Sequence, residues 1–180
     1  MVPTSVQSTH ESSTIYPSPV GDLLLIRNEN ALTGIYFQSD FSDPSNKKAD
    51  CDEAPNSAYD TEPFGELKQQ LDEYFAGKRR VFELSRLALQ PSGTAFQKRV
   101  WNALLQIPYG ETISYGELAR WIEQPNASRA VGLANGRNPI SIIIPCHRVI
   151  GSNGKLVGYG GGLDRKKLLL EIESPAVQLF

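Results

Sequence analysis

A chain of 180 residues, 40% of them hydrophobic and 21% charged, can form one large domain or two small ones, and no apolar run approaches the roughly 20 residues of a membrane-spanning helix. Its two cysteines, Cys51 and Cys146, exclude a disulfide framework, and together with His10 and His147 they show none of the usual zinc spacings. The net charge of −2 conceals a split: residues 1–91 carry 8 Lys and Arg against 14 Asp and Glu, and residues 92–180 carry 10 against 6. Contact with a polyanion is therefore expected on the second half, although a split this small also arises by chance.

The opening residues, MVPTSVQSTHESSTIYPSP, have neither the basic end nor the apolar run of a secretory signal, and 1–14 read as a flexible polar segment. Residues 19–37 predict two strands about a turn at Asn28-Glu29-Asn30. Residues 38–62, rich in Asp, Ser, Asn and Pro, predict a flexible loop. Cys51 lies in that loop between Asp50 and Asp52, whose carboxylates disfavour a thiolate, so it is expected to be inert. Phe64, Leu67, Leu71, Tyr74 and Phe75 keep helical spacing, with Gly77 as the stop. Val81–Leu84 suggests a further strand. Punctuation and charge both change near Gln90-Pro91-Ser92-Gly93, which divides the chain into domains 1–91 and 92–180.

Thr94 and Gln97 form a capping box ahead of a stripe of Phe96, Val100, Trp101, Leu104 and Leu105. Ser114 and Glu117 form a second box, opening a short helix with Leu118, Ala119 and Ile122 inward. Asn126 is placed to cap a third helix over 127–135, stopped by Gly136. Two short helices about a tight turn suggest a helix-turn-helix, although most such pairs are only packing units. The β-branched run Ile140–Ile144 predicts a buried extended segment leading to Pro145-Cys146-His147-Arg148. Residues 151–162 hold six glycines, so backbone there can approach a ligand. The last helix is expected over Leu163–Glu173 with Leu168, Leu169 and Ile172 inward.

A buried cysteine is more often a small hydrophobe than a nucleophile. Here Cys146 adjoins His147 and Arg148, which supply a base or positive charge to lower a thiol pKa. A histidine in that role needs a carboxylate to orient it, and Asp164, Glu171 and Glu173 are all available.

Pro145-Cys146-His147-Arg148-Val149 resembles the O6-alkylguanine-DNA alkyltransferase family, the methylated-DNA–protein-cysteine methyltransferases. The likeness extends over most of 92–173, through Phe96–Trp101, Ile107–Tyr115, Ser128–Gly132 and Asn138-Pro139. It implies an α+β architecture: a small RNase H-like N-terminal domain of sheet and helix, then a mostly helical C-terminal domain with a helix-turn-helix. It implies direct reversal of DNA damage, in which an alkyl group passes once and irreversibly from O6 of guanine to Cys146, with O4 of thymine as a further candidate donor. His147 would act through a water as the base, oriented by Glu173, while Asn138 supports the turn. Tyr115 would help swing the nucleotide out and protonate guanine N3, and Arg129 would fill the gap in the stack. Ser128, Ala130 and Gly132 around Arg129, together with Arg148, would lie with the DNA and substrate contacts. Backbone of Cys146, Val149 and Gly160 would read the base, and Tyr159 would line the pocket.

The implied partner is double-stranded DNA containing alkylated guanine. The protein would be a cytoplasmic monomer without cofactor, metal or membrane contact. Some family members carry an N-terminal zinc site whose ligands are absent here, and some carry Ser at the position of Gly160 or Pro at that of Ser141. Gly160 lacks a hydroxymethyl group beside the base, which predicts a roomier pocket. Rival readings are a damage sensor without transfer, made poor by the presence of Cys146; a cysteine hydrolase, whose base is usually remote in sequence; and a DNA-binding regulator with a redox-active cysteine.

Overall fold

The computed structural model describes residues 11–38 and 64–174. Cys51 and most of the two segments expected to be flexible lie outside these residues. Three antiparallel strands, β1 (Ser12–Tyr16), β2 (Leu23–Arg27) and β3 (Leu32–Phe37), form a sheet in the order β1-β2-β3. Leu23, Leu24, Leu25 and Ile26 of the central strand are all buried, which explains an apolar run without alternation. The β2–β3 turn is held by Asn28, whose side-chain oxygen accepts from the N–H groups of Asn30 and Ala31. β1 falls partly where the sequence predicts a flexible segment. Its Ser-Ser-Thr stretch carries little apolar signal, but it pairs along β2 from Ser12–Arg27 to Tyr16–Leu23.

Helix α1 (Gly65–Phe75) buries Leu67, Gln70, Leu71 and Tyr74. Gly77 ends it at φ +69°, a left-handed conformation that glycine adopts without penalty. The strand expected at Val81–Leu84 is absent. Val81 and Leu84 are exposed, and the segment is held by the Glu83 N–H on the side-chain oxygen of Gln70 and by ion pairs of Glu83 with Arg79 and Arg86. The chain meets the sheet later, where Leu32 bridges Leu89 in parallel.

Helix α2 (Ala95–Leu104) opens with the Thr94–Gln97 capping box and lays Val100, Trp101 and Leu104 into the core. The Trp101 indole N–H donates to the Ala134 carbonyl at 2.9 Å. A short strand β4 (Ile113–Ser114) leads through the Ser114–Glu117 capping box into α3 (Tyr115–Trp121). A turn with Glu123 at φ 59° then gives α4 (Ser128–Gly136). Ala127 rather than Asn126 precedes the first turn of α4, and it makes no side-chain cap. β5 (Val149–Ile150) pairs in parallel with β4, and α5 (Leu163–Glu173) closes the fold. The inward face of α5 is Lys166, Leu169, Leu170 and Glu173, while Leu168, expected inside, is exposed. One apolar core joins the sheet, α1 and the later helices, running from Leu25, Ile35 and Phe37 through Tyr74 to Trp101, Leu118 and Val131.

Candidate active site

The run Ile140–Ile144 is curled rather than extended, and one side chain curls it. The Asn138 side-chain oxygen accepts from the Ile140 N–H, and its amide nitrogen donates to the Ile144 carbonyl at 2.8 Å. The Ile144 N–H closes onto the Ile140 carbonyl at 3.1 Å. The turn forces Ile142 to φ 74°, a region costly for a β-branched residue. Strain of this kind persists where the surroundings over-determine it, here beside Cys146. A single 3₁₀ turn, Cys146–Arg148, follows. Asn138 Nδ2 lies 3.1 Å from Cys146 Sγ, and Asn135 Nδ2 donates to the Cys146 carbonyl at 3.2 Å. An N–H aimed at sulfur favours the thiolate over the thiol.

Behind the cysteine lies a buried carboxylate with five donors. Glu173 Oε1 accepts from Tyr74 Oη at 2.8 Å, His147 Nε2 at 2.9 Å and an Arg148 Nη at 2.9 Å. Oε2 accepts from Arg148 Nε at 2.8 Å and the Gly110 N–H at 3.2 Å. Burial pushes the Glu173 carboxyl up, but His147 and Arg148 outweigh it and hold the group well below the carboxylate range. Burial lowers the His147 pKa against the pull of Glu173, so the ring is neutral. With Nε2–H given to Glu173, the lone pair sits on Nδ1, which is buried and has no protein hydrogen-bond partner. A neutral imidazole with an available Nδ1, on the residue that follows the cysteine, can act as a base.

Two openings reach this region. A groove of about 580 Å³ is lined by Tyr115, Ser128, Arg129, Gly132, Leu133, Val157 and Gly158. A narrow cleft of about 10 Å³, room for one water, lies between Cys146, Asn138, Ser141, Tyr159, Gly160 and Tyr36. Tyr115 Oη lies 3.1 Å from both the Val157 and Gly158 carbonyl oxygens, which share its one proton. Burial and the charge of Cys146 push its pKa up to about 12, so the phenol keeps its proton. Lys166 Nζ, fully buried, donates to the Val149 carbonyl at 2.6 Å and the Val157 carbonyl at 2.8 Å. Burial lowers its pKa to about 8 against the opposing charge of Cys146.

Residues 13–89 match the ribonuclease-like domain of 6-O-methylguanine DNA methyltransferase, and residues 95–175 match its DNA-binding domain. A methylated-DNA–protein-cysteine methyltransferase of Methanosarcina acetivorans is 52% identical over 160 residues, 88% of this chain and 96% of that protein. One from Mycobacterium leprae is 49% identical over 160 residues, 89% of this chain and 90% of that protein. The chain belongs to the methylated-DNA–protein-cysteine methyltransferase family. The crystal structure of the Mycobacterium tuberculosis O6-methylguanine methyltransferase superposes with a TM-score of 0.78 at 45% identity, over 95% of this chain and 97% of that one. An M. tuberculosis structure in complex with DNA gives 0.76 at 45% identity, over 92% and 93%.

Against this methyltransferase frame, the fold brings Cys146, His147, Glu173 and Asn138 into one buried cluster, and Tyr115, Ser128, Arg129 and Gly132 into one groove. Asp164 is exposed and Glu171 is half-exposed, which leaves Glu173 as the carboxylate on His147. Ala130 is exposed on α4. Arg148 departs from its expected place among the DNA contacts: it is buried, both arms of its guanidinium grip Glu173, and the third nitrogen donates to the Ile107 carbonyl at 2.6 Å. The carbonyls of Cys146 and Val149 are already engaged by Asn135 and Lys166, leaving each one lone pair for a ligand. The roomy pocket expected from Gly160 is not what the fold presents, because Tyr36 and Tyr159 narrow the cleft. Tyr74, Asn135 and Lys166 escaped the sequence reading. Tyr74 and Lys166 sit at core spacing on their helices, and only Lys166, a cation on an inward stripe, carried any local signal.

Proposed function

We propose that this protein repairs DNA by taking an alkyl group from O6 of guanine onto Sγ of Cys146, once per molecule. The observation that carries this reading is the juxtaposition of Cys146, contacted by Asn138, with a neutral His147 held by Glu173, behind a groove edged by Arg129 and Tyr115. The relatives' names, methylated-DNA–protein-cysteine methyltransferase, support the same chemistry. Guanine O6 lies inside the duplex, so the nucleotide leaves the stack to react, and Arg129 occupies the space it vacates. Residues 92–180 serve as the DNA-binding and acceptor half, and residues 1–91 as its support.

His147 Nδ1 takes the thiol proton through a water, leaving a thiolate. The thiolate attacks the alkyl carbon in line. The S–C bond forms as the C–O6 bond breaks, and its electron pair stays on guanine. Tyr115 offsets that charge by donating toward N3, and the thiol's proton finally replaces the alkyl group on guanine. The thioether is stable, and among the described residues there is no second cysteine to take the alkyl group from it, so Cys146 is not regenerated.

No helix among the described residues is long and apolar enough to cross a membrane. The assignment to the cytoplasm rests on the sparse cysteines and the DNA substrate. The reading is tested by mixing the protein with duplex DNA containing O6-methylguanine and mapping the mass of its peptides. One CH₂ gained on the peptide containing Cys146, at one equivalent, is expected. Repeated turnover, or label on Cys51, overturns it.

A further inference from the structure

Three consecutive residues of β3 reach the acceptor site from the other half of the chain. The Ile35 N–H donates to the Pro139 carbonyl at 2.9 Å, and the Ile35 carbonyl accepts from the Ser141 N–H at 3.2 Å. Tyr36 lines the cleft beside Cys146 with Ser141, Tyr159 and Gly160. Phe37 stands edge-on to Tyr159, with ring centroids 6.0 Å apart and planes at 67°. Phe37 also seats Gly161 so closely that a Cβ there would lie 2.5 Å from its ring carbons. From α5, Arg165 Nη1 donates to the Gly161 carbonyl at 2.9 Å and Nε to the Val20 carbonyl at 2.8 Å. Its guanidinium carbon lies 4.8 Å from the centre of the Phe37 ring.

We propose that β3 and Arg165 clamp the glycine-rich loop in a narrow setting, so that the first half of the chain selects which alkyl groups reach Cys146. The inference rests on the alkyl-transfer reading above and adds a specificity role to β3, outside the acceptor half, and to Arg165, which ties the glycine-rich loop to the first half of the chain. Gly158, Gly160, Gly161 and Gly162 surround Tyr159 and offer the loop no side chains by which to fix itself, so its position is set from outside. Arg165 fixes it with a planar fork that bonds the carbonyls of Val20 and Gly161, in two separate turns, and lies over the Phe37 ring. A cleft of about 10 Å³ admits a chain longer than methyl only if the wall of Tyr159 and Gly160 retreats. That retreat breaks the Arg165–Gly161 bond and separates Phe37 from Tyr159.

Arg165→Met keeps the apolar stem but removes both hydrogen bonds and the cation over the ring. Phe37→Leu removes the ring itself. For each full-length variant, single-turnover rates on duplex DNA carrying O6-methylguanine or O6-butylguanine are measured and normalised to the fraction of protein alkylated at completion. The butyl-to-methyl ratio is expected to rise about tenfold over the natural protein, the effect of losing one or two modest contacts. Mere destabilisation lowers the active fraction or both rates alike and leaves the ratio unchanged. A ratio within twofold of the natural protein's, or below it, in the variants overturns the clamp. If either variant yields no alkylated protein, Arg165→Lys, which keeps the charge and loses the fork, is scored the same way. Failure of the natural protein to alkylate Cys146 at all overturns the transfer reading instead.

Discussion

His147 Nε2 lies 2.9 Å from Glu173 Oε1, on a carboxylate that also receives two guanidinium nitrogens of Arg148 and the hydroxyl of Tyr74. The histidine is thus tied by one nitrogen to a charge that is already balanced by an arginine. The charge of Arg148 adds to burial in opposing the pull of Glu173 on the imidazole. With Arg148 in place, burial prevails and the ring stays neutral, with its lone pair on Nδ1. The arginine next to the acceptor cysteine therefore serves the base, and it does so from inside the protein.

Glu173→Gln removes the charge and leaves Arg148 buried without its partner. Loss of one member of a buried pair costs about 3–5 kcal/mol. The Glu173 carboxyl is held below its ordinary value of 4.5, so its contribution is fully present above that pH and is lost as pH falls through the lower folded value. Urea unfolding at neutral pH is expected to show the variant destabilised by this amount, with the difference shrinking in acid. An unchanged midpoint at neutral pH contradicts the assignment.

The rate of methyl transfer should follow the neutral form of His147. Its pKa lies below the ordinary 6.5, so lowering the pH through that value protonates little of it. Transfer rates are expected to stay level from pH 8 to below 6.5 and to fall only in more acidic buffer. A tenfold decline centred at or above the ordinary imidazole value argues against a neutral base. The profile is read by single-turnover quench on duplex substrate.

Arg129 is exposed at the second position of α4 and edges the groove that holds Tyr115. Arg129→Ala is expected to slow repair of duplex DNA by about tenfold or more, since stabilising an unstacked site is worth ~1.4 kcal/mol or above. Reaction with free O6-alkylguanine base needs no extrusion and should change little. Equal losses on both substrates would show that Arg129 supports the fold rather than the flipped state. Binding by the natural protein should weaken with salt and show little sequence preference.

Where a local rule governs, the sequence was readable. Thr94–Gln97 and Ser114–Glu117 announce two helix starts within four residues each, and the structure has both boxes. The site was legible where its residues are consecutive or belong to motifs quoted for the family. Partnerships between distant residues were not. Arg148 and Glu173 are 25 positions apart, and Tyr74 and Glu173 are 99 apart. A cation beside a cysteine gives no sign of which way it turns. The inner face of α5 is hidden for a related reason: its stripe at 166, 169, 170 and 173 begins with Lys and ends with Glu, so composition points to Leu168 instead. The run at 140–144 has the composition of a strand, but Asn138, two residues before it, takes up its backbone groups and folds it into turns.

Gly160 and the width of the cleft set the alkyl range. Absence of a side chain at 160 argues for space, but Tyr36 and Tyr159 narrow the same opening, and about 10 Å³ remains beside Cys146. Methyl is therefore expected to transfer fastest, ethyl more slowly, and butyl slowest, because each added methylene requires the glycine-rich wall to move further. Gly160 lines this opening. Its N–H remains to meet guanine O6. Gly160→Ser should then leave methyl transfer within about tenfold, the ~1.4 kcal/mol that one modest contact is worth, while butyl transfer falls further because the hydroxymethyl group occupies part of the opening. Free O6-benzylguanine should react weakly with the natural protein, since no DNA contacts assist its binding and Ser141 offers little apolar surface for a flat ring. Single-turnover rates for methyl, ethyl and butyl adducts, with and without the substitution, check the series. Butyl transfer as fast as methyl in the natural protein, or loss of methyl transfer in Gly160→Ser, contradicts the narrow-cleft account.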